Sequence, residues 1–273
     1  MNNINEIEKA DDIYGKSSDY GTEEIQHELL DLLILFHKEC ESNHLQYSLN
    51  SGTLLGAIRH NGFIPWDDDA DVMMTRESFE KYVKLDHEKY GLRIVRHKWV
   101  TRVMKSDFSS EAFIDLFVVD HVPDNNAVQK IKVLLVRTLQ GMMKGKVPLG
   151  NYRFPYNYMI LATFFLGKTM SQERKYSLYQ SVSKIGNKRE TKNTGIYNNL
   201  YKSIPRVYDT NMMRYITTHT FENTRLYITE EYDNYLTAVY GDYMTPPGKE
   251  DRKKGNFQIR CNNSTFVINN AEH

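Results

Sequence analysis

Four carboxylates fall within five positions of the stretch GFIPWDDDADVMM, at Asp67, Asp68, Asp69 and Asp71. Like charges this close repel one another, so the cluster is unfavourable unless a cation lies among the side chains. Magnesium is usually held by one or two protein carboxylates together with water and the phosphate oxygens of a substrate. The stretch therefore indicates either a divalent-metal site or a solvated acidic turn, and by itself it leaves both open.

The apolar tail of this stretch predicts how the carboxylates are oriented. ADVMM suits a β-strand, in which successive side chains point to opposite faces. If the strand includes the acids, Asp67, Asp69 and Asp71 share one face and Asp68 points away. We therefore expect Asp69 and Asp71 to bind metal, with Asp67 assisting and Asp68 dispensable.

Two other kinds of metal site contain similar acidic patterns. An EF-hand loop requires glycine at its sixth position, which is Val72 or Met74 here, so that loop is excluded. The DxD motif, through which some glycosyltransferases bind a nucleotide sugar, is satisfied by DDD and DAD. A metal-dependent glycosyltransferase therefore stays an alternative.

The segments around the acids carry ordinary helix and strand signals. Thr22 can cap a helix whose first turn holds Glu23 and Glu24, and apolar residues then recur on one face to about residue 42. LQYSLN at 45–50 alternates like a strand, SGT interrupts it, and LLGAIRH is typical of one or two helical turns. Later, LRIVRH and VTRVMK predict two strands of a hairpin or meander.

Two features elsewhere in the sequence bear on the acidic cluster. Ser51, Gly52 and Thr53 lie where a strand passes into a helix, and small residues at a helix N-terminus let a phosphate approach free N–H groups. Asp115 lies inside the apolar strand EAFIDLFVVD, residues 111–120, where a carboxylate is costly to bury unless it is paired or binds metal. An ordinary turn and a structural aspartate are the alternative interpretations.

Taken in order, a strand, a Gly–Thr turn, a helix, Asp-x-Asp and an acid on a later strand resemble the nucleotidyltransferase fold typified by polymerase β. GTLLGAIRHNGFIPWDDDADV is similar to the signature of the LicD family. FIDLFVVD resembles that family's strand with the third acid, and YDNYLTAVYGDYMTPP resembles its C-terminal motif. The resemblance extends from about residue 45 to residue 247.

The resemblance to LicD implies an enzyme that moves phosphocholine, or a related phospho-group, from CDP-choline to a hydroxyl group and releases CMP. The acceptor would be a cell-surface glycan precursor such as teichoic acid or lipopolysaccharide. One or two Mg²⁺ ions, or Mn²⁺, would be held by Asp69, Asp71 and Asp115. Asp115 would serve as base or only as metal ligand. The donor phosphate would bind at Ser51, Gly52, Thr53 and Arg59, with Arg102 and Lys105 as weaker candidates.

The cation of choline would favour an aromatic site. The chain has 19 tyrosines, so the sequence does not identify the aromatic residues that would form it. Trp66, directly before the acids, is one candidate.

Charge divides the chain into an acidic part and a basic part. Residues 125–189 hold twelve lysines or arginines and one acid, a net charge of +11, and the whole chain is neutral. We predict an α+β fold in which a small mixed sheet is flanked by helices, with an extra helical region. The predicted divisions are a lead (1–22), a nucleotidyltransferase-like core (23–124), a basic helical region (125–220) and a C-terminal segment packing on the core (221–273).

The basic region carries a second possible function. Lys130, Arg137 and Lys144 lie seven apart near one helical stripe, with apolar residues such as Leu134 between them. An interfacial helix on anionic lipid, within 126–146, is one interpretation. A partly buried helix with a solvated basic side, and a surface for an anionic glycan, are the others.

The remaining sequence features bound the location of the protein. The N-terminus is polar and acidic without a hydrophobic leader, and the longest apolar run, from Met159, is about half of what spans a bilayer. Two cysteines, Cys40 and Cys261, are too few for a disulfide framework or a cysteine zinc site. Zero net charge does not suggest a nucleic-acid partner. We therefore expect a cytoplasmic protein, at most peripheral on the inner face of the cell membrane.

Overall fold

A mixed β-sheet of seven strands lies at the centre of the computed structural model, which describes residues 16–145, 156–199, 203–204, 206–248 and 252. The strands are β1 (Ser48–Leu49), β2 (Ala70–Thr75), β3 (Leu92–His97), β4 (Val100–Lys105), β5 (Ile114–His121), β6 (Asn193–Ile196) and β7 (Tyr208–Asp209). Their order is β1–β2–β5–β4–β3, and the end of β5 also pairs with β6, which pairs with β7. Only β2 and β5 are parallel neighbours within the described residues. A separate hairpin is formed by β8 (Ile216–Phe221) and β9 (Thr224–Thr229).

Helices flank the sheet. The described residues form α1 (Ser17–Tyr20), α2 (Glu23–Ser42), α3 (Ser51–His60), α4 (Arg76–Tyr82), α5 (Asn126–Met142), α6 (Tyr156–Gly167), α7 (Gln172–Ser183) and α8 (Tyr232–Tyr240). Short 3₁₀ turns occupy His87–Tyr90 and Thr210–Met213. For residues 156–160 only the backbone is described. The predicted fold class, α+β with a small mixed sheet flanked by helices, is confirmed.

The centre of the sheet is buried because β2 and β5 are nearly continuous apolar runs, as parallel strands covered on both faces usually are. Val72 and Met73 of β2 and Leu116 of β5 are fully buried. On α2, the apolar residues Leu29 and Phe36 recur at helical spacing and enter the same core. The two strands that carry Asp71 and Asp115 are thus fixed in the buried centre of the sheet.

Residues 193–209 correct the expectation that the chain stays helical to about residue 220. Asn193–Ile196 forms a strand, and its last three residues pair with the end of β5. The segment NTGI is short and contains glycine, so its β propensity is weak and the pairing depends on the exposed edge of β5. The basic region therefore supplies helices up to Ser183 and then a strand of the central sheet.

A second, smaller core lies between α5, α7 and the chain around β6. It contains Val136, Leu139, Tyr179 and Tyr197, all buried. The Tyr179 hydroxyl donates to the Tyr197 carbonyl oxygen at 2.6 Å, which joins α7 to the chain after β6. The sides of α5 and α7 that face this second core are therefore buried as part of the fold.

The C-terminal part returns to the start of the sheet. The backbone N–H of Thr229 at the end of β9 donates to the Ser48 hydroxyl at 2.9 Å. Helix α8 packs against α3. This contact brings the C-terminal motif to the strand-to-helix junction at residue 51.

The structure bears on three more predictions, which concern the strand at 45–50, the two cysteines and the N-terminal lead. The strand expected at 45–50 covers only Ser48–Leu49, because α3 already begins at Ser51. Cys40 is buried and unbridged, whereas Cys261 lies outside the described residues. Of the expected N-terminal lead, residues 1–15 also lie outside them, and Ser17–Tyr20 forms α1.

Candidate metal and phosphate site

Two acids and one arginine, Asp71, Asp115 and Arg102, form a row across the central sheet, which we call the acid row. Asp71 on β2 is the register partner of Asp115 on the parallel strand β5, and Asp115 is in turn the partner of Arg102 on β4. Register neighbours point to the same face, and the Arg102 Nε donates to Asp115 Oδ1 at 2.8 Å. Both side chains are about one-fifth exposed, so the pair is accessible at the edge of the core.

Three more carboxylates lie just before β2. Oxygen atoms of Asp67, Asp68 and Asp69 lie within 4.8 Å of one another. The alternation of side chains along a strand predicts that Asp68 points away from Asp67 and Asp69. This prediction is wrong, because the strand begins only at Ala70. Before that residue the chain turns, so three consecutive carboxylates can converge. Asp68 is nearly buried, with 6% of its surface exposed.

The electrostatics of this cluster suit a divalent cation. Burial raises the pKa of Asp67 well above its usual value, and the neighbouring charges of Asp69 and Asp68 raise it further. Oxygen ligands of one Mg²⁺, bonded at about 2.1 Å, lie within about 4.2 Å of one another, close to the spacing found here. Carboxylates are also the ligands that Mg²⁺ and Mn²⁺ prefer. The residues present therefore fit such an ion, which would offset the repulsion between them.

The N-terminus of α3 lies against the acids. A Cβ atom on Gly52 would lie 2.6 Å from Asp67 Oδ2, so the first turn of the helix touches that carboxylate. Ser51 has φ of 47°, in the left-handed region that residues other than glycine rarely adopt. The Asn50 side chain makes no hydrogen bond to the first-turn amides, because it accepts one from the Tyr235 hydroxyl at 2.5 Å. The helix thus presents its N–H groups where a phosphate beside the metal would lie.

Two residues predicted to bind the donor phosphate make other contacts. Thr53 is buried, and its hydroxyl accepts a hydrogen bond from the backbone N–H of Asp71 at 2.8 Å, so it fixes the start of β2. Arg59 donates to the backbone carbonyl of Tyr243 at 2.7 Å. Arg59 lies eight residues along α3 from Ser51, or roughly 12 Å at 1.5 Å per residue. Its predicted contact with the donor phosphate stays a prediction.

The loop from residue 61 to residue 67 runs back along α3 and delivers the acids to the site. A Cβ atom on Gly56 would lie 2.4 Å from the Gly62 carbonyl oxygen, so only glycine permits this close approach. At the turn of the β8–β9 hairpin, Glu222 accepts a hydrogen bond from the Phe63 N–H at 2.8 Å. The N–H of Glu222 also donates to the Asn61 carbonyl at 2.7 Å.

The other end of this loop is held by the start of α2. The Gln26 side-chain amide donates to the carbonyl oxygens of Ile64 at 3.0 Å and Asp67 at 2.7 Å. The Thr22 hydroxyl donates to the Pro65 carbonyl at 2.5 Å and makes no capping bond to α2, contrary to its predicted role. Nothing in the local sequence around residue 67 points to these partners, since they lie about forty residues earlier.

Residues 44–143 match the family described as LicD/FKTN/FKRP, nucleotidyltransferase domain. This segment is therefore similar to a LicD domain. The resemblance predicted from the motifs is confirmed. The matched segment of the LicD domain includes the whole acid row and the acid cluster.

Similarity to known proteins extends beyond the LicD domain. Lipopolysaccharide cholinephosphotransferase LicD of Haemophilus influenzae is 28% identical over 265 residues, which cover 84% of this chain and 93% of that protein. An uncharacterized protein of Rickettsia typhi is 38% identical over 64 residues, 23% of this chain and 21% of its own. An uncharacterized protein of Rickettsia prowazekii is 49% identical over 41 residues, 15% of each chain.

Helix α8 lies outside the matched LicD domain but adds an aromatic side chain to the site. Burial raises the pKa of the Tyr240 phenol, and the negative charges of Asp71, Asp67 and Asp69 raise it further. The Tyr240 side chain is 44% exposed, so it borders the acids on the solvent side. The C-terminal motif YDNYLTAVYGDYMTPP signals this helix in the sequence, but its spacing does not indicate which tyrosine faces the acids.

Trp66, directly before the cluster in the LicD domain, lies among other rings and one cation. It contacts Tyr20 edge-to-face at 5.6 Å and His60 at 6.2 Å between ring centroids. The Arg252 guanidinium carbon lies 5.0 Å from the centre of a Trp66 ring. This ring therefore receives a cation in the folded chain.

Helix length and composition also bear on membrane insertion. In the part of the chain that the structure describes, no helix is both long enough and apolar enough to cross a bilayer.

Proposed function

We propose that this protein is a metal-dependent phosphotransferase that moves phosphocholine, or a related phospho-group, from CDP-choline to a hydroxyl group of a glycan and releases CMP. The observation that carries the proposal is the register of Asp71 with Asp115 beside the acid cluster and the N-terminus of α3. The LicD domain and the similarity to a cholinephosphotransferase support the same reaction class.

Mg²⁺ or Mn²⁺ is the proposed cofactor, as one ion or two. When bound, it would neutralise charge on the donor diphosphate and on the leaving phosphate. Asp69, Asp71 and Asp115 are the proposed ligands, and the convergence of Asp67 and Asp68 with Asp69 adds two further candidates. The Arg102 Nε donates to Asp115 Oδ1 at 2.8 Å, which fixes the position of that proposed ligand.

The proposed transfer forms one phosphorus–oxygen bond and breaks another. The acceptor hydroxyl oxygen attacks the phosphorus that carries choline, and the bond from that phosphorus to the oxygen of CMP breaks. The electron pair leaves with CMP, and the hydroxyl proton passes to a base or to water. Asp115 is the candidate base within the row, and its contact with Arg102 would hold its second oxygen in place.

The donor phosphate is proposed to bind at the first turn of α3, between Ser51 and Thr53, through backbone N–H groups. Arg59 stays a proposed ligand of the donor phosphate, and Arg102, which binds Asp115, is a second arginine candidate. Trp66 is a candidate for the choline cation, since its ring already receives a guanidinium.

The acceptor is proposed to be an anionic cell-envelope glycan precursor. Similarity to a protein named for lipopolysaccharide supports that class in general terms, and teichoic acid remains within the proposal. The proposed location is cytoplasmic. A glycosyltransferase that binds a nucleotide sugar through DxD has less support, because the matched domain is of the nucleotidyltransferase type.

The experiment is to incubate the purified protein with CDP-choline, Mg²⁺ and candidate acceptors, and to measure CMP. Asp71→Asn and Asp115→Asn should each lower turnover by more than about a hundredfold while leaving the circular dichroism spectrum and thermal midpoint near wild type. Asp124→Asn, an exposed acid outside the row, is the matched control and should retain full turnover. Near-normal turnover in either site variant would remove the metal assignment. Release of nucleotide from a sugar donor but not from CDP-choline would favour the glycosyltransferase.

A further inference from the structure

Apolar side chains are exposed along one side of α5. Val128, Ile131, Leu134 and Leu135 have 39%, 55%, 52% and 40% of their surface exposed. Positions 128, 131 and 135 follow helical spacing of three and four, so they form one stripe. We call these four residues, together with Phe165 and Leu166 of α6, the outer face.

Helix α6 adds two exposed apolar side chains. Phe165 and Leu166 are 56% and 55% exposed, and α6 packs against α5. Six large apolar side chains on two adjacent helices thus lie at the surface. Single scattered apolar side chains are ordinary on soluble proteins, whereas several on one pair of helices mark an interaction surface.

The fold does not need the outer face for its own core. The opposite side of α5 is buried, with Val136 and Leu139 in the second core. Lys132 lies on that inner side too, and its ammonium donates to the carbonyl oxygens of His121 and Ile185 at 3.0 and 2.8 Å. Of the apolar positions between Lys130 and Lys144, Val136 and Leu139 therefore point inward, which agrees with the interpretation of a partly buried helix. The exposed apolar positions include Val128 and Ile131 instead.

The positive charge around the outer face indicates what kind of surface binds to it. Neither α5 nor α6 contains an acidic residue, and residues 125–189 carry a net charge of +11. Lys130 is exposed beside Ile131, and the Lys168 ammonium lies 5.2 and 5.4 Å from the rings of Phe164 and Phe165. Apolar side chains bordered by lysines, with no acid among them, are complementary to an anionic lipid headgroup layer over a hydrocarbon interior.

The end of α5 lies near the strands that carry the acid row. Met142 and Met143, at the end of α5, belong to the second core, and Trp99 packs against that core from the turn between β3 and β4. Strand β4 carries Arg102, which binds Asp115. The C-terminal end of α5 is therefore the end closer to the acid row.

We propose that the outer face docks this protein on the surface of an anionic phospholipid bilayer. Docking would hold α5 in the headgroup layer, with its C-terminal end toward the acid row. The role of docking in catalysis rests on the proposed function, because docking would bring the acid row close to a lipid-linked acceptor. The docking itself does not depend on transfer.

The test is cosedimentation with vesicles, using phosphatidylcholine alone and phosphatidylcholine with phosphatidylglycerol, at about 0.1 M and about 0.5 M salt. Wild type should bind the anionic vesicles at the lower salt, and the double variant I131S/L134S should bind at least about tenfold more weakly. The variant K130Q/K168Q should lose about fivefold per lysine on anionic vesicles only. The control I34S/Y215S removes exposed apolar side chains elsewhere and should bind like wild type.

Several outcomes would overturn the proposal. They are absence of vesicle binding by wild type, equal binding by I131S/L134S, and a concentration-dependent dimer that I131S/L134S abolishes while vesicles are not bound. Circular dichroism of each variant checks folding. Asp71→Asn should lose CMP release and still bind vesicles like wild type. Failure of wild type to release CMP, with intact vesicle binding, would count against the proposed function alone.

Discussion

The side-chain amide of Gln26 offers a direct test of how the acid cluster is held. It donates to the carbonyl oxygens of Ile64 and Asp67, on either side of the turn that leads into the cluster. Gln26→Met keeps the length and shape of the buried side chain, removes both donated bonds and also removes the oxygen that accepts from the Ser17 hydroxyl at 2.5 Å. Three neutral hydrogen bonds are worth about 0.5–1.5 kcal/mol each, so the free energy of unfolding in urea should fall by about 1.5–4.5 kcal/mol.

The same change should weaken metal binding. Without its hydrogen bond, the Asp67 backbone can shift, and the carboxylate loses its fixed position beside Asp69. Loss of a contact that orients a ligand typically lowers metal affinity by about 10- to 100-fold. Titration calorimetry with Mn²⁺ should therefore give a Kd for Gln26→Met at least about tenfold above that of wild type.

Gln140 provides a matched control. It is also a buried glutamine, and its amide donates to the carbonyl oxygens of Tyr197 at 3.3 Å and Asn199 at 3.0 Å, next to the second core. Gln140→Met should lose a similar amount of stability and leave the Mn²⁺ Kd unchanged. Equal Mn²⁺ affinity for Gln26→Met and Gln140→Met would refute the reasoning, since the effect of Gln26 would then be on stability alone.

Three further changes test other parts of the structure. Asp68→Asn should raise the Mn²⁺ Kd about tenfold, because its carboxylate lies within the acid cluster; an unchanged Kd would restore the alternation argument. Gly56→Ala should lower the free energy of unfolding by about 1–3 kcal/mol, since its Cβ would lie 2.4 Å from a backbone carbonyl oxygen. Gly145→Ala, with no neighbour within 4 Å, should change it by less than about 0.5 kcal/mol, and equal effects would contradict the close packing. Burial lowers the pKa of His97 to about 4, so its stabilising contribution is complete above about pH 6.5 and is lost as the pH falls toward 4. Urea unfolding at pH 7 and pH 5 should show roughly 1 kcal/mol more loss for wild type than for His97→Asn, and equal losses would refute the assignment.

The sequence predicts the parts of the fold that depend on local patterns. Continuous apolar residues identify β5, and the helical spacing of apolar residues identifies α2. The strand at Asn193–Ile196 escapes prediction because its four residues have little intrinsic preference for a strand, and its pairing with β5 is a long-range contact.

The candidate site is likewise predicted from the sequence only where local patterns determine it. The spacing of the acids and the strand around Asp115 suffice to predict that Asp71 and Asp115 act together. The alternation argument fails for Asp68 because it assumes that the strand begins earlier than Ala70. The assignment of Arg59 to the donor phosphate stays a prediction, and in the structure its guanidinium also donates to the Tyr243 carbonyl oxygen. Gln26 and Tyr240 act from distant parts of the chain, so no local pattern reveals them.

The turn at Glu222 has a consequence for how the site is assembled during synthesis. The loop that carries the acids is held at Asn61 and Phe63 by a residue about 160 positions later, and at Ile64 by one that precedes the matched domain. A nascent chain that ends before the β8–β9 hairpin would contain every acid of the cluster and the row and still lack both hydrogen bonds to Glu222 that fix their loop. Expression of residues 44–143 alone should therefore yield the signature without an ordered metal site. The competent form exists only once most of the polypeptide has left the ribosome.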